Sequence, residues 1–267
     1  MDTQLLFICL LTFVIHLIGT LAYSVRIAGV RTRRIAVSLA LFGILVLVSR
    51  TSNSFLGPFL AKRVETNLDG LASGSLLGDF RWLLASASLA TVVGALLIPT
   101  FQRVFCRAVL HFQAHRSIPK LILHCVFKGG LSYVRDVASM PAARNMTGCR
   151  SGHGVSGRIT LLNVAATALW TVGVFAALYA GVLDPSVRVT SSTLSSIING
   201  GATIMMAVFI DPHMSGMTDD VVEGKLPESQ FRKAIVWLVG SRLAGTVAAQ
   251  ALLVPASMLI AAVARVI

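Results

Sequence analysis

Ser49-Arg50-Thr51-Ser52-Asn53-Ser54 interrupts a long apolar run, following Ile35 to Val48 and preceding Phe55-Leu56-Gly57-Pro58-Phe59-Leu60. A charge, a series of hydroxyls and an amide in such company are hard to explain by packing. In a water-soluble protein the stretch is a loop. Inside a membrane span its arginine costs about 2.5–3.5 kcal/mol on insertion scales, and so faces a partner or a wet cavity. Which reading holds depends on the rest of the chain.

Charged residues make up 13% of the chain, against about 25% in an average soluble domain, and 55% are hydrophobic, with mean hydropathy +0.79. That balance predicts an all-α, polytopic membrane protein, because spanning helices satisfy their own backbone polar groups in lipid. The net charge of +12 does not indicate nucleic acid. The arginines fall between apolar runs, with few aromatics interleaved for base stacking. Basic loops of this kind reflect topology and attraction to anionic membrane lipids. The four cysteines, Cys9, Cys106, Cys125 and Cys149, form no disulfide framework. No Lys or Arg precedes the first apolar run, which extends from Leu5 to about Tyr23, so it reads as a retained first span.

A span needs about 20 apolar residues. Six stretches qualify: about 4–25, 35–60, 80–101, 159–182, 188–210 and 234–264. Pro58 in the second and Gly245 and Pro255 in the sixth predict kinks or partial re-entry. The whole chain, 1–267, reads as one transmembrane domain without internal sequence repeats. Loops 26–34, 102–158 and 211–233 hold sixteen Lys and Arg against six in the opposite segments. The positive-inside rule then puts these loops in the cytoplasm and both termini outside.

The connection 102–158 is the longest. Val104, Phe105, Ala108, Val109 and Phe112 recur at helical spacing, with Arg103, Arg107, His111 and His115 on another face. A second set, Ile118, Leu121, Ile122, Cys125 and Val126, continues the pattern. Amphipathic helices lying in the cytoplasmic interface account for it; a surface helix with snorkelling arginines accounts for it equally. Gly152-His153-Gly154-Val155-Ser156-Gly157 matches a dinucleotide fingerprint in letters only, since no βαβ unit surrounds it. The simpler reading is a turn with a cap for the fourth span; the other is a phosphate held at that helix N-terminus with Arg158. His111 and His115, at i and i+4, can ligate zinc, and Cys106, His124, Cys125, Cys149 and His153 lie in the same connection, but no H-E-x-x-H or C-x-x-C accompanies them, so no metal and no cofactor is called for.

Polar residues inside the spans carry more information. Asn199 and Gln250 read first as interhelical hydrogen-bonding groups, and His16 as either that or a proton-coupling group. The arginines are different. At 1.5 Å per residue Arg242 lies about 12 Å, His16 about 14 Å and Arg50 about 22 Å above the cytoplasmic boundary. Together with Asn53 they form a ladder of donors suited to an anion in transit, although Arg50 also reads as a helix end snorkelling to the headgroups. Asp211, Asp219 and Asp220 belong to an acidic stretch after Pro212, read either as a gate by ion pairing or as a solvated loop with Pro212 ending the helix.

The stretches LLFICLLTFVIHLIGTLAYSVRIAGVRTRRIAVS (5–38), ILVLVSRTSNSF (44–55), PFLAKRVE (58–65) and MTDDVVEGK (217–225) resemble the Amj family of bacterial lipid II flippases, the alternative to MurJ in peptidoglycan synthesis. The resemblance runs end to end. It implies a multi-pass plasma-membrane transporter, not an enzyme, that carries undecaprenyl-pyrophosphate-linked disaccharide-pentapeptide (lipid II) to the outer leaflet. It implies no particular site residues, and a homo-oligomer is among the arrangements allowed. The residues agree with it: guanidinium groups pair with phosphate oxygens bidentately, and amides and hydroxyls serve sugars and peptides. On this view Arg26, Arg31, Arg33 and Arg34 gather the substrate, Arg242 and Arg50 receive the pyrophosphate, and His16 or Asp219-Asp220 couples to protons. An integral-membrane enzyme of prenyl-phosphate metabolism and a membrane scaffold or regulator are the alternatives.

Overall fold

Each apolar run forms one helix, and the helices outrun the runs. The computed structural model describes residues 2–68, 73–117, 138–139 and 155–267. The elements are α1 (Thr3–Thr32), α2 (Ile35–Leu68), α3 (Ser73–His115), α4 (Gly157–Leu183), a 3-10 turn (Pro185–Val187), α5 (Arg188–Met205), α6 (Asp211–Val222) and α7 (Glu228–Val266). A π turn, Met206–Ile210, joins α5 to α6 without a break. Six helices are long and apolar enough to cross a membrane, the α5–α6 unit counting as one.

Local chemistry fixes the ends. Asp2 caps α1, its carboxylate accepting from the Leu5 N–H at 2.7 Å, and Arg33 closes the helix in the left-handed region at φ 54°. The Ser38 hydroxyl donates to the Val25 carbonyl at 2.9 Å, pinning the start of α2 against α1. Ser156 caps α4 through the Ile159 N–H. The cap reading therefore holds for Ser156; Gly152, His153 and Gly154 lie outside the described residues.

Three differences from the sequence reading have physical causes. Residues 103–115 have the helical spacing noted above, but they continue α3 rather than starting a separate interfacial helix. Phe105 and Val109 are buried against Val25, Ala28 and Leu41, while Arg103 and Arg107 are exposed. The second set, Ile118 to Val126, lies outside the described residues, as do His124, Cys149 and His153. Next, Pro212 does not end a helix. The π turn before it shifts the hydrogen-bond ladder, the Asp211 N–H reaching back to the Met206 carbonyl, and the helix continues through Pro212 into α6. The acidic stretch is thus largely helical. Finally, Pro58 and Pro255 lie within unbroken α2 and α7.

Packing divides the bundle. α1 packs most extensively on α3 and then on α2, α4 on α7 and then on α5, and α3 meets α7 across the middle. Lipid tails are as apolar as leucine, so polar contacts and close fit bind such helices, each interhelical hydrogen bond giving about 0.6 kcal/mol and at most about 1.7. Asn163 donates to the Leu238 carbonyl and the Ser241 hydroxyl at 2.9 and 2.7 Å. Ser86 donates to the Cys9 carbonyl at 2.7 Å. α2 and α5 are peripheral and bury few of their residues.

Candidate functional site

A polar cavity of about 150 Å³ lies where α1 and α4 fail to close on each other, with α2 and α5 as its flanks. Thr12, His16, Asn53, Thr171 and Asn199 line it with Trp170, amid Ile15, Leu56, Val174 and Phe175. Three of the residues singled out in the sequence, His16, Asn53 and Asn199, therefore converge. His16 is buried, and its Nδ1 has no hydrogen-bond partner among the described residues; nor has the Asn199 Oδ1. Asn199 is pressed against Gly173, where any Cβ would collide with its amide oxygen. Asn53 is exposed, so the cavity opens on the α2 side rather than being sealed in the core.

Arg242 lies against the cavity without lining it. The Trp170 ring stands between, 5.3 Å from the His16 ring and 5.9 Å from the Arg242 guanidinium carbon. Arg242 is 7% exposed, and no carboxylate among the described residues pairs with it. Tyr23 is its polar neighbour, and its Nε has no hydrogen-bond partner among the described residues. The guanidinium occupies space left by Gly19, where a Cβ would stand 2.5 Å from Nη2. A buried cation covered by an aromatic face and held in a glycine notch is equipped for an anion.

The remaining expected residues divide. Arg26 is tied down, donating to Asp211 at 3.0 Å and Ser215 at 3.2 Å. Arg31 donates to Glu228 at 2.9 Å, a carboxylate shared with Arg232. These two arginines join α1 to α6 and α7. Arg33, Arg34, Asp219 and Asp220 are exposed. Gln250 donates to the Arg81 carbonyl at 2.9 Å, an interhelical bond outside the cavity. Arg50 is exposed on α2 and is not part of the cavity lining; the continuous ladder from Arg242 to Arg50 is not built in this state.

Sequence reasoning missed Trp170, Thr12 and Thr171, which look like ordinary span residues, and it missed Arg63. That side chain is 8% exposed and holds Asp79 and Asp2 together, at 2.7 and 2.8 Å. The Leu5 N–H and then Arg63 hold the Asp2 carboxyl below the ordinary carboxylate range. The only signal was charge of both signs between Lys62 and Arg81.

The model of a family described as Amj, alternate to MurJ, matches residues 11–264. A curated relative, the lipid II flippase Amj of Bacillus subtilis (strain 168), is 36% identical, the aligned part covering 97% of this chain and 96% of the relative. No solved structure matches the chain.

Proposed function

The chain belongs to the Amj family, alternate to MurJ, and from that premise we propose that it is a lipid II flippase whose head-group path runs through the cavity beside Arg242. The family is one of flippases, so the prenyl-phosphate enzyme falls away as an alternative. We further infer that the end bearing Arg26, Arg31, Arg33 and Arg34 is cytoplasmic and that both termini face out, following the excess of basic residues.

The observation that carries this reading is Arg242: a cation buried at mid-bundle, with no carboxylate partner among the described residues, next to a polar cavity. Left alone, such a charge is a liability of about 2.5–3.5 kcal/mol. The Trp170 face offsets about 0.5–2 kcal/mol of it. A pyrophosphate does better, since each hydrogen bond to a charged group contributes about 1.5–3 kcal/mol and the guanidinium fork makes two. The incoming anion therefore displaces the indole instead of competing weakly with it. His16, Asn53 and Asn199 are placed for sugar hydroxyls and peptide groups, each with donor or acceptor capacity to spare. The prenyl tail remains in lipid on the far side of the gap between α2 and α5.

The purified chain in liposomes, supplied with labelled lipid II in one leaflet, is expected to deliver it to the other at a rate well above protein-free vesicles. A rate equal to that of empty vesicles would refute the flippase reading.

A further inference from the structure

The cavity is lined twice by the same pattern. α1 contributes Thr12, Ile15 and His16, and α4 contributes Thr171, Val174 and Phe175: a threonine followed by larger groups at i+3 and i+4 in both. Each threonine hydroxyl donates to its own helix four residues back, Thr12 to Ile8 and Thr171 to Thr167. The next helix in each half then supplies one asparagine, Asn53 from α2 and Asn199 from α5. Packing repeats too, the first helix of each half binding its third most extensively and its second next, with lighter contact between second and third.

Three crossings separate α1 from α4, so the halves enter the membrane from opposite sides, as in inverted-repeat transporters.

We propose that the chain is an inverted repeat of two three-helix units, α1–α3 and α4–α7, whose pseudo-two-fold axis lies in the membrane plane and enters the cavity between α2 and α5. A half-turn about such an axis is also the operation that carries a lipid from one leaflet to the other. A head group arriving from either leaflet thus meets an equivalent half-site, Thr12 with Asn53 or Thr171 with Asn199, while its tail stays in lipid. Several features break the symmetry and set the chemistry: Trp170 of α4 and Leu56 of α2 line the cavity without counterparts from the other half. His16 stands opposite Phe175, and Arg242 of α7 has no cationic counterpart on α3 between Arg81 and Arg103. The moving contact is also identified. Among the described residues, the ion pairs that join one unit to the other, Arg26–Asp211 and Arg31–Glu228, both sit at one end. At the other end Arg63 pairs with Asp2 and Asp79 within the first unit, and Arg265 with Asp184 within the second. The repeat requires no particular head group, so it is tested without lipid II and apart from the flippase assay.

The test uses the full chain in sealed vesicles of both orientations, with Cys9, Cys106, Cys125 and Cys149 replaced and a single Asn53→Cys or Asn199→Cys introduced. A membrane-impermeant maleimide is the probe. Opening the gate with Arg26→Ala and Arg31→Ala, or from the other unit with Asp211→Asn and Glu228→Gln, should raise labelling from the Arg26 end several-fold at both cysteines together. Arg26→Lys with Arg31→Lys keeps the pairs and should restore the original labelling. A gain at only one of the two cysteines in either gate variant, or at neither in both, would overturn the proposal.

Discussion

Arg242 owes its position to two neighbours that carry no charge. Gly19 leaves the notch and Trp170 covers it, so Gly19→Ala should push the guanidinium aside without touching the cavity walls. We expect lipid II translocation to fall at least tenfold with stability little changed, as read by parallel flipping and thermal-melting measurements; an unchanged rate would show that the guanidinium's placement is irrelevant. Arg50→Ala should be far milder than Arg242→Ala, because Arg50 is exposed on a peripheral helix. A loss of activity as deep as that of Arg242→Ala would put Arg50 back in the path. The sequence showed that His16, Asn53, Asn199 and Arg242 were anomalous, because a polar group in hydrocarbon stands out by composition alone. It did not show which way α2 turns. Arg50 and Asn53, three residues apart, differ by only about 60° around the helix axis, and only the packing of α2 against α1 selects Asn53 and not Arg50 for the cavity. Trp170 and the two threonines were invisible for the opposite reason, being unremarkable in any span.

At the level of elements, the N-terminus of α1 is held by charge. Arg63 of α2 grips Asp79 of α3 and Asp2 before α1, joining three helices at one end. Breaking a buried pair costs about 3–5 kcal/mol, less here because Asp2 is 59% exposed while Asp79 is only 15% exposed. Asp79→Asn should therefore lower the melting midpoint clearly more than Asp2→Asn, and the reverse order would contradict this account of the latch. The Asp2 carboxyl is held below its ordinary 3.8, so its stabilisation is present above that value and is lost as pH falls through the lowered one. The melting difference between wild type and Asp2→Asn should stay constant from neutral pH down to about 3.8 and close only below it. Six helices were legible from hydropathy, but their ends were not. Hydropathy falls where charges begin, whereas α3 continues to His115 because Phe105 and Val109 still find apolar partners. Pro212 read as a terminator because a π turn leaves no mark in composition.

For the whole molecule, hydropathy counts the crossings but says nothing of which helices pair. Which helices leave a gap is decided by shape, and the 3+3 pairing emerges only from packing. The cavity of about 150 Å³ is smaller than the roughly 300–1,000 Å³ typical of small-ligand sites, and far too small for a disaccharide-pentapeptide. A head group passing this way would need the cavity to widen, and α2 and α5, which bury few of their residues, are the elements placed to separate. A short reagent bridging Asn53→Cys to Asn199→Cys should accordingly stop translocation and reduction should restore it; undiminished transport by the bridged protein would move the path elsewhere. The central claim is that the head group passes through the cavity beside Arg242. The most direct measurement is the rate of lipid II translocation by Arg242→Ala in liposomes at matched protein density. The account predicts a fall to nearly the protein-free rate, with partial recovery in Arg242→Lys, whereas wild-type flipping by Arg242→Ala would contradict it.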